Sequence, residues 1–150
     1  MTASDIRAGM PTSSKVLCGV YAAIAVAALI ATWSQNLAYS GHGADLLRVF
    51  WEDTKANPAS RSITADIALF LLAAAVLMVA EARKHGVKYV WAYIVGGFLI
   101  AISVTFPLFL IAREVRLSRT EANRLSTPDT VGLVALAVAV AAFTIWVDVL

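Results

Sequence analysis

Between Lys88 and Arg113 the chain reads YVWAYIVGGFLIAISVTFPLFLIA, residues 89–112, a stretch without a single charge. It is long enough for the roughly 20 residues that an α-helix needs to cross the hydrocarbon of a bilayer. Three further runs share its character. Residues 16–33 carry no charge, residues 63–80 hold one carboxylate, Asp66, and residues 130–147 are again uncharged. In lipid a helix satisfies its own backbone hydrogen bonds, whereas an open strand does not, so each run is read as a helix.

The composition of the 150-residue chain agrees. Hydrophobic residues make up 60% and charged residues 15%, against about 45–50% and about 25% in soluble domains. A soluble domain this small buries too little of its surface to hide that much apolar material. The net charge of +2 is small and the basic residues are scattered, so nucleic acid is not an expected partner. Cys18 is the sole cysteine, which leaves no internal disulfide. His42 and His85 are isolated from acid clusters, so neither a metal nor a cofactor is expected.

The expected fold is an all-α membrane protein: four transmembrane helices in a compact bundle, with a short amphipathic interfacial helix in the first loop. A polar tail over residues 1–15 precedes a single domain over 16–150. Its helices are expected at about 16–34, 58–82, 87–113 and 129–148. The first run is longer than a signal-peptide core and is expected to remain as an anchor. Asn57-Pro58 and Thr127-Pro128-Asp129 supply an N-cap followed by proline in the first turn, and His85-Gly86 supplies a tight reversal. Over about 44–53, Leu46, Leu47, Val49, Phe50 and Trp51 form an apolar stripe beside Asp45, Arg48, Glu52 and Asp53, the pattern of a helix lying on an interface.

Apolar burial does not drive helices together in lipid, so close approach and polar contacts must. Gly19, Ala23, Ala27 and Ala31 recur every fourth residue and make a smooth ridge. Gly96 and Gly97 offer a hollow, and Pro107 should kink its helix near Thr105-Phe106. The polar positions expected to bind a ligand or hold the bundle are Asn57, Ser60, Asp66, Glu81 and Arg113. An intramembrane acid is a functional candidate by default, which makes Asp66 the candidate catalytic group. If the third helix crosses antiparallel to the second, Arg113 emerges beside Asp66 and pairs with it. Glu81 lies at the far end of the same helix, some 20 Å from Asp66, so the two acids cannot form one dyad. The basic residues divide almost evenly between the two sides in this arrangement, and orientation stays open.

The stretch Ala56-Asn57-x-x-Ser60, with Asp66, Glu81, Trp91, the block Phe106-Pro107-Leu108-Phe109-Leu110 and Arg113-Glu114, resembles a family of small bacterial integral-membrane proteins classed as a domain of unknown function. The resemblance covers residues 16–117 and implies a three-helix core, with the fourth helix as an extension. A more distant similarity is to integral-membrane terpene cyclases, in which acids protonate an isoprenoid. Where related sequences carry an aromatic pair, this chain has Arg61-Ser62-Ile63-Thr64, which offers no aromatic face to a carbocation. The expected function is that of a non-enzymatic accessory or interaction subunit in the bacterial cytoplasmic (inner) membrane, crossing it several times. Its partners would be the lipid bilayer and either another membrane protein or a second copy. The alternative is an enzyme acting on a lipophilic, isoprenoid-like substrate with Asp66 as the acid.

Overall fold

The computed structural model describes residues 10–117 and 126–149. Helix α1 (Thr12–Asn36) leads through a 3-10 segment (Leu37–Asp45) into α2 (Leu46–Asp53). Then come α3 (Pro58–His85), α4 (Val90–Gly96) with its π-helical continuation (Gly97–Ala101), α5 (Ile102–Glu114) and α6 (Thr127–Val149). Among the described residues there is no strand. Four helical stretches, Thr12–Asp53, Pro58–His85, Val90–Glu114 and Thr127–Asp148, are long and apolar enough to cross a membrane. They form the all-α bundle expected. The expected tail over 1–15 lies mostly outside the described residues, and α1 already begins at Thr12.

Local chemistry accounts for the boundaries. Asn57 is extended, and its side-chain oxygen accepts from the Ser60 backbone N–H at 2.9 Å, with Pro58 in the first turn. This satisfies one of the N–H groups that every helix start leaves open. At the other end of α3, Gly86 takes φ 67°, and the Val87 N–H closes on the Ala82 carbonyl at 3.0 Å. A residue with a Cβ would pay a steric cost there. Helix α6 is capped one residue earlier than expected: the Ser126 hydroxyl accepts from the Asp129 N–H, and Asp129 accepts from the Ser126 N–H. In α2, the side chains of Leu46, Val49 and Phe50 are half-buried while Leu47 and Trp51 are exposed. Tyr39 packs edge-on against Phe50 and donates to Asp53 at 2.8 Å, tying α2 to the segment before it.

The third apolar stretch does not run straight. The rings of Tyr93 and Phe109 sit 5.8 Å apart, whereas sixteen residues of continuous helix would separate them by about 24 Å. A Cβ on Gly96 would lie 3.1 Å from Thr105 Cγ2, and one on Gly97 would lie 3.3 Å from Thr105 Oγ1. Both contacts require the chain to double back. It does so at Ala101, whose extended φ 178° and ψ 141° interrupt the helical geometry. The expected single helix over 87–113 is therefore a helical hairpin, and each arm, about 17–20 Å long, is shorter than the roughly 30 Å hydrocarbon layer. The break replaces the kink expected at Pro107, which stays inside α5 and is buried. Gly96 and Gly97 permit the fold because, without side chains, they let the returning arm lie against them.

The core forms between α3 and this hairpin. Met78 and Phe109 are fully buried, with Leu71, Ala74, Val90, Ile94 and Ile102 around them. Helix α1 lies chiefly along α5, through a face on which Ser14 and Ala25 are buried and Cys18, Tyr21 and Ala28 half-buried. The ridge expected to pack is offset from that face. Gly19, Ala23 and Ala27 are exposed, Ala31 is half-buried, and the space beside Gly19 is open. Helix α6 touches α1, and none of its described side chains is buried.

Helix α4 leaves from the end at which α3 finishes, and α5 returns to it. In a Cys18→Ser background, Lys84→Cys and Val115→Cys are therefore expected to react with an impermeant maleimide from the same side of the membrane. Ala44→Cys should react from the other. A Val115→Cys that reacts together with Ala44→Cys would mean that the third stretch crosses.

Candidate functional site

The returning hairpin gathers ionisable groups from three helices at one end of the bundle. Arg113, near the end of α5, donates through Nε to Glu81 Oε2 on α3. His85, one turn further along α3, holds Nε2 3.4 Å from the same carboxylate oxygen. Arg113 Nη1 also stands 3.5 Å from Glu114 Oε1. One guanidinium thus faces two carboxylates.

Burial separates the members of the cluster. The side chains of Glu81 and Arg113 retain 20% and 19% of their exposure, that of His85 5% and that of Glu114 1%. Neither Glu114 oxygen accepts a hydrogen bond among the described residues. On the face of α1 that packs along α5, Ser14 is buried and Cys18 and Tyr21 are half-buried. Adjacent helical residues point about 100° apart. Arg113 can therefore address α3 while Glu114 addresses α1. A buried carboxylate without hydrogen bonds is costly to keep charged, which makes Glu114 the most conspicuous polar group of the fold.

The expected polar positions do not form one network. Asn57 and Ser60 serve as the cap of α3 and its first bonded N–H. Glu81 and Arg113 form the ion pair. The expected Asp66–Arg113 pair is absent, because the reversal at Ala101 carries Arg113 back toward the end of α3 rather than past its start. Asp66 is exposed on α3 and makes no hydrogen bond or ion pair among the described residues. The enzyme alternative sets Asp66 beside Pro107, but the acid is exposed and the proline buried. Thr105 supplies a further buried oxygen without a hydrogen bond among the described residues, inside the hairpin against Gly97. Among the described residues no group of three His, Cys, Asp or Glu side chains is placed to hold a metal ion.

The sequence names Glu114 only as part of the Arg113-Glu114 pair and His85 only as a turn histidine isolated from acids; the structure buries the first and sets the second 3.4 Å from Glu81. The available signals were the Arg113-Glu114 dipeptide and the four-residue spacing of Glu81 and His85, which sets both on one helix face. Neither signal says which face the fold buries.

Four apolar helical stretches with polar groups gathered at one end define a small multi-pass helical membrane protein. The chain belongs to the DUF2834 family, described as proteins of unknown function, whose model matches residues 20–115. That span runs from α1 to the end of α5 and leaves α6 outside it. Comparison with curated proteins and with solved structures gives no match. The similarity to membrane terpene cyclases thus finds no support in these comparisons.

Removing one partner of a largely buried ion pair strands the other charge. Glu81→Gln and Arg113→Gln are each expected to cost about 2–4 kcal/mol in detergent unfolding, and the double variant should cost at least about 1 kcal/mol less than their sum. Additive costs would show that the pair does not hold the hairpin. Glu114→Gln keeps the shape and removes a buried carboxylate that has no hydrogen bond among the described residues and shares its one guanidinium with Glu81, so its midpoint of thermal unfolding should equal or exceed that of the parent.

Proposed function

We propose that this protein is a non-enzymatic accessory or interaction subunit of a bacterial inner membrane, binding a second membrane protein through the outward faces of α1 and α3. The observation that carries this reading is the position of Asp66. It lies inside the apolar run of α3, faces outward, and has no bonded partner among the described residues. A carboxylate at the middle of a bilayer costs about 2.5–3.5 kcal/mol on insertion scales, and less toward the boundary. A neighbouring helix that presents a basic or hydroxyl side chain offsets this cost, as polar contacts between membrane helices do.

Two features support the same reading. Gly19, Ala23 and Ala27 point away from the bundle, and a small-residue ridge of this kind lets a second helix approach closely. Other polar positions expected from the sequence are engaged within the chain: Asn57 caps α3, and Glu81 holds Arg113.

Purification of the full chain in mild detergent should bring down a membrane protein in fixed stoichiometry. Asp66→Asn and Gly19→Leu should each reduce its recovery by about tenfold or more, a change worth about 1.4 kcal/mol, without lowering the folded yield. Repeated isolation of a lone folded monomer, or a partner whose recovery ignores both substitutions, would overturn the reading.

A further inference from the structure

The hairpin also redistributes charge. Were the third stretch to cross, Arg116 would emerge at the end that carries Arg61, and the basic residues would be shared between the two ends. With the reversal at Ala101, Arg116 instead joins Lys15 at the start of α1, Arg83 and Lys84 at the end of α3, and Lys88 in the turn. All five are exposed. Among the described residues, Glu81 and Glu114 lie at this end and both are turned toward Arg113. At the opposite end, Arg48 is held by Asp45 at 3.2 Å and by Glu52 at 3.1 Å, with Asp53 and Asp66 adding further negative charge. Arg61 there donates to the Lys55 carbonyl at 3.0 Å.

We propose that the end bearing Lys15, Arg83, Lys84, Lys88 and Arg116 is a docking collar for anionic phospholipid headgroups and lies in the cytoplasmic leaflet. Cationic groups drawn from two helices, the turn after α3 and the turn after α5 gather at one end of a membrane bundle, where headgroup phosphates are the nearest negative charges. Tyr89 and Trp91, 82% and 63% exposed, follow Lys88 directly. Aromatic side chains of this kind settle at the headgroup level, with an apolar body and a polar edge. Basic residues close to membrane spans are retained on the cytoplasmic side, and the anionic cytoplasmic leaflet attracts such clusters. Orientation and ligand thus follow from one asymmetry that the fold creates.

The test has two arms. In intact bacterial cells carrying Cys18→Ser variants of the full chain, an impermeant maleimide should label Ala44→Cys and should label Val115→Cys only after the membrane is opened. In the second arm, phosphatidylglycerol and phosphatidylcholine are titrated into the detergent-purified full chain, and the thermal midpoint is read. Phosphatidylglycerol should give a shift at least about twofold larger, and the excess should vanish at high salt, as screening of exposed charges requires. The triple variant Arg83→Gln/Lys84→Gln/Lys88→Gln should keep the phosphatidylcholine response, which reports folding, and lose most of the excess. Labelling of Val115→Cys in intact cells overturns the orientation. Equal responses to the two lipids, an undiminished excess in the triple variant, or an equal shift with inorganic phosphate overturns the lipid collar.

Discussion

Arg113 reaches Glu81 only because α5 runs back along α4, and the close fit of that return uses the absence of side chains at Gly96 and Gly97. A Cβ on either would crowd Thr105. The glycines let the two arms close, the extended residue Ala101 turns the chain, and the ion pair fastens the returning end to α3. Phe109 and Tyr93 fill the space between, edge to face. Ring, glycine and ion-pair contacts are mutually dependent, since each needs the same reversal. Inside lipid, where apolar burial alone does not bring helices together, such close packing and polar fastening are what remain to define a bundle.

The same reversal sorts the polar residues into two groups. Glu81 and His85 near the end of α3 are drawn inward, where one guanidinium serves two carboxylates and Glu114 is buried without a hydrogen bond among the described residues. Those near the start of α3 gain nothing from α5, which never reaches them. Asp66 therefore stays outward, and the proposed interaction role rests on that position. The face of α1 that packs follows from the same sorting. Ser14, Cys18 and Tyr21 lie on the face turned toward α5, which leaves the smoother ridge of Gly19, Ala23 and Ala27 on the outside.

Much of the fold was legible residue by residue. The cap at Asn57, the proline after it and the left-handed Gly86 mark α3 by chemistry that operates within a few residues. The stripe of Leu46, Val49 and Phe50 beside Arg48 and Glu52 marks α2 in the same way. The candidate site was less legible. Glu81 and Arg113 were recognised as polar groups in need of partners, but their pairing depends on a contact between positions 32 residues apart in the chain. Glu114 is quoted with Arg113 in the family resemblance but has no role of its own there, because sequence alone does not say which of two neighbouring charges faces lipid, water or protein.

By itself, the sequence determined the solvent and the secondary structure. Runs of apolar residues as long as a bilayer is thick demand helices in lipid, since only there are both side chains and backbone satisfied. The tertiary structure decided whether the third run crosses or folds back, and with it which charges meet and which end is basic. Hydropathy is blind to that choice, because a straight helix and a hairpin place the same apolar residues in the same apolar surroundings. What separates them is the fit of Thr105 against two glycines and of one arginine against Glu81, and such fits exist only between segments brought together in space.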